Sequence, residues 1–235
     1  MQYKVIITGG HGLVGDGVLQ ECLESTAISE VLLVSRWPKQ AQHPKLKELI
    51  IPDFLELDSY DKELTGYDAC FYCTQCPAAS LDERICSHFA IDMTLSLACR
   101  LLELNPNIVF SFLSSSNADA TELGKVMTGR VMGKAENALA KLIFKKLYFF
   151  RISLVASLAN QKRMQLRDKV VCKIFPLLKI LIPNKINTTK EVGLAMINAL
   201  INKYPERIVN VNAIKSLSTY HQGMAHVNNP LVYVG

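Results

Sequence analysis

Three glycines at fixed spacing, Gly9, Gly12 and Gly15, stand between an apolar run, Lys4-Val5-Ile6-Ile7-Thr8, and a second apolar stretch from Val14 to Cys22. A strand that enters such a corner and leaves as a helix can hold a diphosphate. The first glycine allows a tight turn, the second lets a pyrophosphate approach the backbone, and the third lets helix and strand pack closely. The helix start adds its amide groups and the positive end of its dipole. On this reading Thr8, Gly9, Gly12, Leu13, Val14 and Gly15 form a cofactor cradle; the alternative is a glycine-rich turn with no ligand.

The residues that would read the rest of a dinucleotide lie downstream. Glu30 to Arg36 reads as a second strand. A carboxylate at such a strand end binds the 2′-hydroxyl of NAD. Here Ser35 and Arg36 stand instead, with Lys39 nearby. A guanidinium suits a 2′-phosphate that a carboxylate would repel, so the sequence favours NADP, unless Arg36 is only a solvated loop residue. After a third strand, Leu46 to Ile51, Asp53 could accept from an adenine amino group and Phe54 could cover the ring; a polar turn with an anchoring aromatic explains both equally well. Cys70, Cys73 and Cys76 form a C-x-x-C-x-x-C run that resembles iron–sulfur spacing. Cys70 falls inside an apolar strand and the next cysteine is Cys86, so no metal site is expected.

These residues need an alternating scaffold. Asp68 to Thr74 reads as a fourth strand, Leu81 to Leu104 as a long helix, Asn107 to Leu113 as a fifth strand, Arg130 to Lys146 as a helix and Leu147 to Leu154 as a sixth strand. Such alternation is that of an α/β, doubly wound parallel sheet with helices on both faces, whose ligands sit beyond the carboxyl ends of the strands. Thr188 to Ile201 is helical, with a Thr cap before Glu191, and Arg207 to Val211 reads as a late strand. From Ser218 the tail is polar without clear period.

The chain has 235 residues, 49% of them hydrophobic and 20% charged, and a net charge of +5. That suits one domain over 1–235. No stretch approaches about 20 uncharged apolar residues, so no membrane span is expected. With no export signal at the N-terminus, the seven cysteines read as reduced thiols and the protein as cytoplasmic. The charge is concentrated in Gln161 to Lys190, which has eight Lys or Arg against the single acid Asp168. The region 155–190, with the apolar Val170 to Ile182 inside it, could cover the cleft as a small segment, dock through 161–190 on a partner protein or an anionic lipid surface, or be a core helix with solvated lysines. A small-molecule substrate is expected, with no nucleic acid partner; a homodimer stays open.

Thr8 to Gly15 matches the Thr-Gly-x-x-Gly-x-x-Gly pattern of the extended and atypical short-chain dehydrogenase/reductases. The chain resembles that family from Tyr3 to about Ser216, and is most similar to the atypical branch with the Tat-interacting oxidoreductase-like proteins. The resemblance implies an NAD(P)-binding Rossmann domain and hydride transfer on a small carbonyl/alcohol pair. It places Ser114-Ser115-Ser116 and Lys134 where the family keeps its serine and lysine, and lays Cys73 and Thr74 beside the cofactor. It implies that Ser115 orients substrate and that Lys134 holds the nicotinamide ribose, with Ser114 also near the cofactor. The family's tyrosine, four residues before the lysine, is absent: Arg130 stands there, and no lysine in the chain has a Tyr four residues earlier. Arg130 cannot donate a proton near neutral pH, but it could hold an anion or an oxyanion. Two readings follow, an altered NADP-dependent oxidoreductase and a catalytically weak NADPH-sensing interaction protein.

Overall fold

A computed structural model describes residues 2–76, 82–156, 185–219 and 232–233. The opening apolar run forms β1 (Tyr3–Thr8), and α1 (Leu13–Glu24) follows the glycine turn. The chain continues through β2 (Ile28–Ser35), the short β3 (Ala41–Gln42), β4 (Leu46–Ile50), the single turn α2 (Asp61–Leu64) and β5 (Ala69–Tyr72). Next come α3 (Glu83–Ser87), a π-helical turn (His88–Asp92), α4 (Met93–Leu104), β6 (Val109–Ser115), α5 (Met127–Leu139) and β7 (Lys146–Ile152). The last described elements are β8 (Leu154–Ala156), β9 (Ile186–Thr188), α6 (Thr189–Asn202), β10 (Ile208–Val209), α7 (Val211–Ser218) and β11 (Val232–Tyr233).

Seven strands form one parallel sheet in the order β10-β7-β6-β5-β1-β2-β4. Each central strand is apolar on both faces because helices cover both. In β1, Val5 and Ile7 face a core shared with α1, α6 and α7, while Ile6 faces the other core, built with α4 and α5. The alternation repeats in β7, where Tyr148 and Phe150 join the first core and Leu147 and Phe149 the second. The sheet runs outward in both directions from β1, toward β2 on one side and β5 on the other, so the crevice between their carboxyl ends is the topological switch point.

Local sequence sets several element ends. Thr188 caps α6 by accepting from Glu191 N while the Glu191 carboxylate accepts from Thr188 N. Asn210 caps α7 by accepting from the amides of Asn212 and Ala213. Other expected boundaries move. The helix read as Arg130 to Lys146 starts at Met127 and ends at Leu139, because the chain must turn at Lys141–Lys145 to enter β7. The late strand shrinks to Ile208–Val209, since its last residue, Val211, starts a helix. The uncharacterised tail contributes β11, which pairs antiparallel with β3.

The stretch Glu83–Leu104 is long and apolar enough, at mean hydropathy 1.3, to cross a membrane. In this fold its Met93, Leu97, Ala98 and Leu101 are buried against the sheet. Of the segment 155–190, residues 157–184 lie outside the described residues, and Val170 to Ile182 with them. The expectation of seven reduced thiols is corrected: Cys76 and Cys86 are joined by a disulfide, while Cys22, Cys70, Cys73 and Cys99 are free thiols. Folding brings Cys76, just past β5, back to Cys86 of α3, a pairing that sequence spacing does not reveal. It also removes Cys76 from any C-x-x-C-x-x-C ligand set.

Candidate functional site

A cavity of about 590 Å³ opens at the switch point, a size that suits a small molecule or cofactor. Its floor is the glycine turn, with Gly9, Gly12, Leu13, Val14 and Gly15 in the lining. Gly9 has φ +69°, and a Cβ there would strike the Cys73 carbonyl; a Cβ on Gly15 would strike the Gly9 carbonyl. These two glycines are fixed by the protein's own packing. Gly12 is not: a Cβ there would meet only the Gly9 carbonyl, at 3.4 Å. Gly12 N donates to Gly9 O at 2.9 Å, and the chain enters α1 directly after it, at Leu13. A turn with room above its middle glycine and a helix start in its wall fits a diphosphate.

The other end of the cavity is aromatic and basic. Ser35, Arg36, Trp37, Phe54 and Phe89 line it. The Arg36 guanidinium lies between two rings, 4.6 Å from the Trp37 centroid and 5.0 Å from that of Phe89, so its direction is set by stacking. Ser35 donates from Oγ to Trp37 O at 2.7 Å and holds the turn after β2. Phe54 is 2% exposed, and its carbonyl accepts from Ser96 Oγ. Asp53 is not among the described residues of the wall; it is exposed, and its Oδ1 accepts from Leu55 N at 2.9 Å.

Across the switch point, Cys73, Thr74, Gln75 and Cys76 form one wall and Ile152, Ser153, Leu154 and Val155 another. Thr8 is fully buried behind the first. Its Oγ1 accepts from Cys73 N, Thr74 N and Thr74 Oγ1 at 3.2, 3.3 and 2.9 Å, so it acts as a strut between β1 and β5. Burial pushes the Cys73 thiol up to about 12, so near neutral pH it is a protonated apolar wall rather than a nucleophile.

The residues expected to carry chemistry gather elsewhere. None of Ser114, Ser115, Arg130 and Lys134 is among the described residues that line the cavity. Arg130 donates to Glu83 through Nη2 at 2.6 Å and Nε at 3.4 Å, and through Nη1 to the carbonyls of Gly124 and Lys125 at 2.7 and 3.1 Å. Glu83 also receives Lys134, at 3.8 Å. The Arg130 hydrogen bonds, first among the causes, hold the Glu83 carboxyl below its ordinary range. In this structure the Arg130 fork bonds a carboxylate and two carbonyls, which clamp α3 and the 124–125 turn to α5. Ser114 turns its hydroxyl to α5. It donates to Glu136 Oε1 at 2.6 Å, and Glu136, 4% exposed, takes a two-pronged bond from Arg151. Ser115 Oγ accepts from Asn117 N in the following turn.

Sequence reading missed several wall residues: His11, Trp37, Gln75, Cys76, Phe89, Met93 and 152–155. The end of the sixth strand could have signalled the last group, because ligands gather beyond strand ends. Phe89 and Met93 carry no local signal, since a π turn rotates that helix face toward the cavity.

No protein-family model matches the sequence, and no curated protein matches it. Solved structures do match the fold. The UDP-glucuronic acid 4-epimerase of Bacillus cereus, in complex with NAD, aligns with 88% of this chain and 76% of its own at 13% identity and a TM-score of 0.63. WbmG of Bordetella bronchiseptica, also in complex with NAD, aligns with 93% of this chain and 77% of its own at 8% identity and a TM-score of 0.64. The UDP-N-acetylglucosamine 4-epimerase of Methanobrevibacter ruminantium M1, in complex with UDP-N-acetylmuramic acid, gives 89% and 76% at 16% identity and a TM-score of 0.62.

The chain has a Rossmann fold. The Rossmann order of strands puts its cavity at the β1–β5 crevice, with the glycine turn as floor and Arg36 at the rim.

Proposed function

We propose that this Rossmann protein binds a nicotinamide dinucleotide and prefers the 2′-phosphorylated form, NADP(H). The observation that carries the reading is the pairing of a glycine floor open above Gly12 with a rim that presents the stacked Arg36 guanidinium where a ribose-reading carboxylate would otherwise stand. Gly12, Leu13 and Val14 would hold the pyrophosphate, Ser35 and Arg36 the ribose phosphate, and Phe54, Phe89 and Met93 the adenine. Cys73 to Cys76 and Ile152 to Val155 would flank the nicotinamide. That ring supplies hydride, and an oxidoreductase acting on a small carbonyl/alcohol pair is the activity this arrangement would serve.

The clamp at Arg130 favours a second reading within the same site. A proton donor at the family's tyrosine position is missing, and both basic residues of that motif are turned onto Glu83. A dinucleotide-binding protein with weak or no turnover, sensing the cofactor, fits that arrangement. One experiment separates the two. Fluorescence titration with NADPH and NADH measures binding, with at least tenfold preference for NADPH expected. NADPH oxidation is then followed over a panel of aldehydes and ketones. Turnover above the blank supports the oxidoreductase, tight binding without turnover supports the sensor, and no binding of either nucleotide overturns both.

A further inference from the structure

We propose that Cys76 and Cys86 form a redox switch on the cavity, opened by small thiols of the glutathione class and closed again by their disulfides; its effect on affinity rests on the reading of the cavity as a dinucleotide site. The bridge joins two parts of the molecule that must agree. Cys76 ends the wall that follows β5 and lines the cavity. Cys86 is 4% exposed in α3, the helix that carries Glu83 and through it holds Arg130 and Lys134 of α5. The disulfide thus ties the cavity wall to the α3–α5 clamp.

The chemistry has one point of entry. Cys76 is partly exposed and lines the cavity whereas Cys86 is 4% exposed, so attack by a thiolate falls on Cys76. Attack forms a mixed disulfide on Cys76, breaks the Cys76–Cys86 bond and releases Cys86 as a thiolate, which takes a proton from solvent. A second small thiol attacks the mixed disulfide, frees Cys76 and leaves as the small-molecule disulfide. Two thiols are oxidised and one bridge is reduced, a two-electron exchange. Neighbouring cysteines do not compete: Cys70 and Cys73 are fully or nearly buried in and beside β5, and burial keeps both protonated.

Opening the bridge frees the Gln75–Cys76 wall from α3, so a preorganised surface must be ordered again on binding. The reduced protein is expected to bind NADPH about tenfold more weakly. Linkage then requires bound NADPH to make the bridge harder to reduce by the same factor, about 30 mV for a two-electron couple.

The test uses the full chain carrying Cys99→Ser, which removes the exposed thiol among the described residues. Alkylation and mass spectrometry before and after dithiothreitol report the bridge, NADPH titration reports affinity, and hydrogen exchange at Arg84–Ser87 reports α3. Cys76 and Cys86 should label only after reduction. NADPH should then bind about tenfold more weakly, α3 amides should exchange faster, and Cys86→Ser should match the reduced protein and ignore thiols. Labelling of both cysteines without reductant overturns the proposal, as do equal affinity and equal exchange in the two states. If neither state binds NADPH, the dinucleotide reading falls, while faster exchange in α3 on reduction still supports the switch.

Discussion

Lys39 Nζ lies 2.6 Å from Asp16 Oδ1, with the two side chains 7% and 10% exposed. The same ammonium donates to Gly10 O at 2.5 Å, and the backbone N of Lys39 donates to Glu48 Oε2. One lysine therefore neutralises a buried acid in the first turn of α1, holds a carbonyl of the glycine turn, and fixes the loop that follows Arg36. It joins the glycine-turn end of the cavity to the Arg36 end.

Lys39→Met should leave the buried Asp16 carboxylate without its ammonium partner and cost about 3–5 kcal/mol, read by urea denaturation. The double variant Asp16→Asn/Lys39→Met should recover part of that loss, because no unpaired charge remains. Equal stability of the single and double variants would show that the two side chains are not coupled.

Arg36→Asp exchanges a guanidinium for a carboxylate at the rim. NADPH affinity should fall by at least two orders of magnitude, about 3 kcal/mol, while NADH changes less than tenfold. Equal losses for both nucleotides in the same titration would place the 2′-phosphate elsewhere.

Gly15→Ala adds a methyl group against the Gly9 carbonyl. The turn must shift to admit it, at about 1–3 kcal/mol, so the melting temperature should drop and dinucleotide binding should be lost. Gly12→Ala is the contrast: it meets only a 3.4 Å contact, should leave stability within about 0.5 kcal/mol, and should still impair binding. Normal nucleotide affinity in the Gly12 variant would argue against a diphosphate above that residue.

Glu21 sits between α1 and α6, 8% exposed, and its Oε2 has no hydrogen-bond partner among the described residues. Burial, against the pull of Lys190 and with the push of Glu24, raises its carboxyl from 4.5 to about 7. The folded chain keeps this proton where the unfolded chain has lost it, so stability is greatest below pH 4.5 for this group and falls as pH rises to about 7. Between pH 5 and pH 8 the wild type should lose roughly 1–3 kcal/mol more than Glu21→Gln, after allowance for solvent. Parallel stability curves from denaturation at both pH values would contradict the assignment.

What the sequence determined by itself is what local physics controls. Glycine spacing between two apolar runs specified the strand–turn–helix corner, because few other side chains fit beside the Cys73 and Gly9 carbonyls. Continuous apolar strands specified a parallel sheet covered on both faces, and Thr188 with Glu191 specified a helix start. The strand-end position of Arg36 was legible for the same reason. Tertiary structure alone decided what the long side chains do. Sequence placed Arg130 one helical turn before Lys134; only the fold brought Glu83 from another helix to occupy them both. It turned Ser114 toward Glu136 and Arg151, set Phe89 beside Arg36, and carried Cys86 back to Cys76. These pairings join residues far apart in the chain, and a charged or reactive group takes the partner that packing delivers, which no spacing within its own element records.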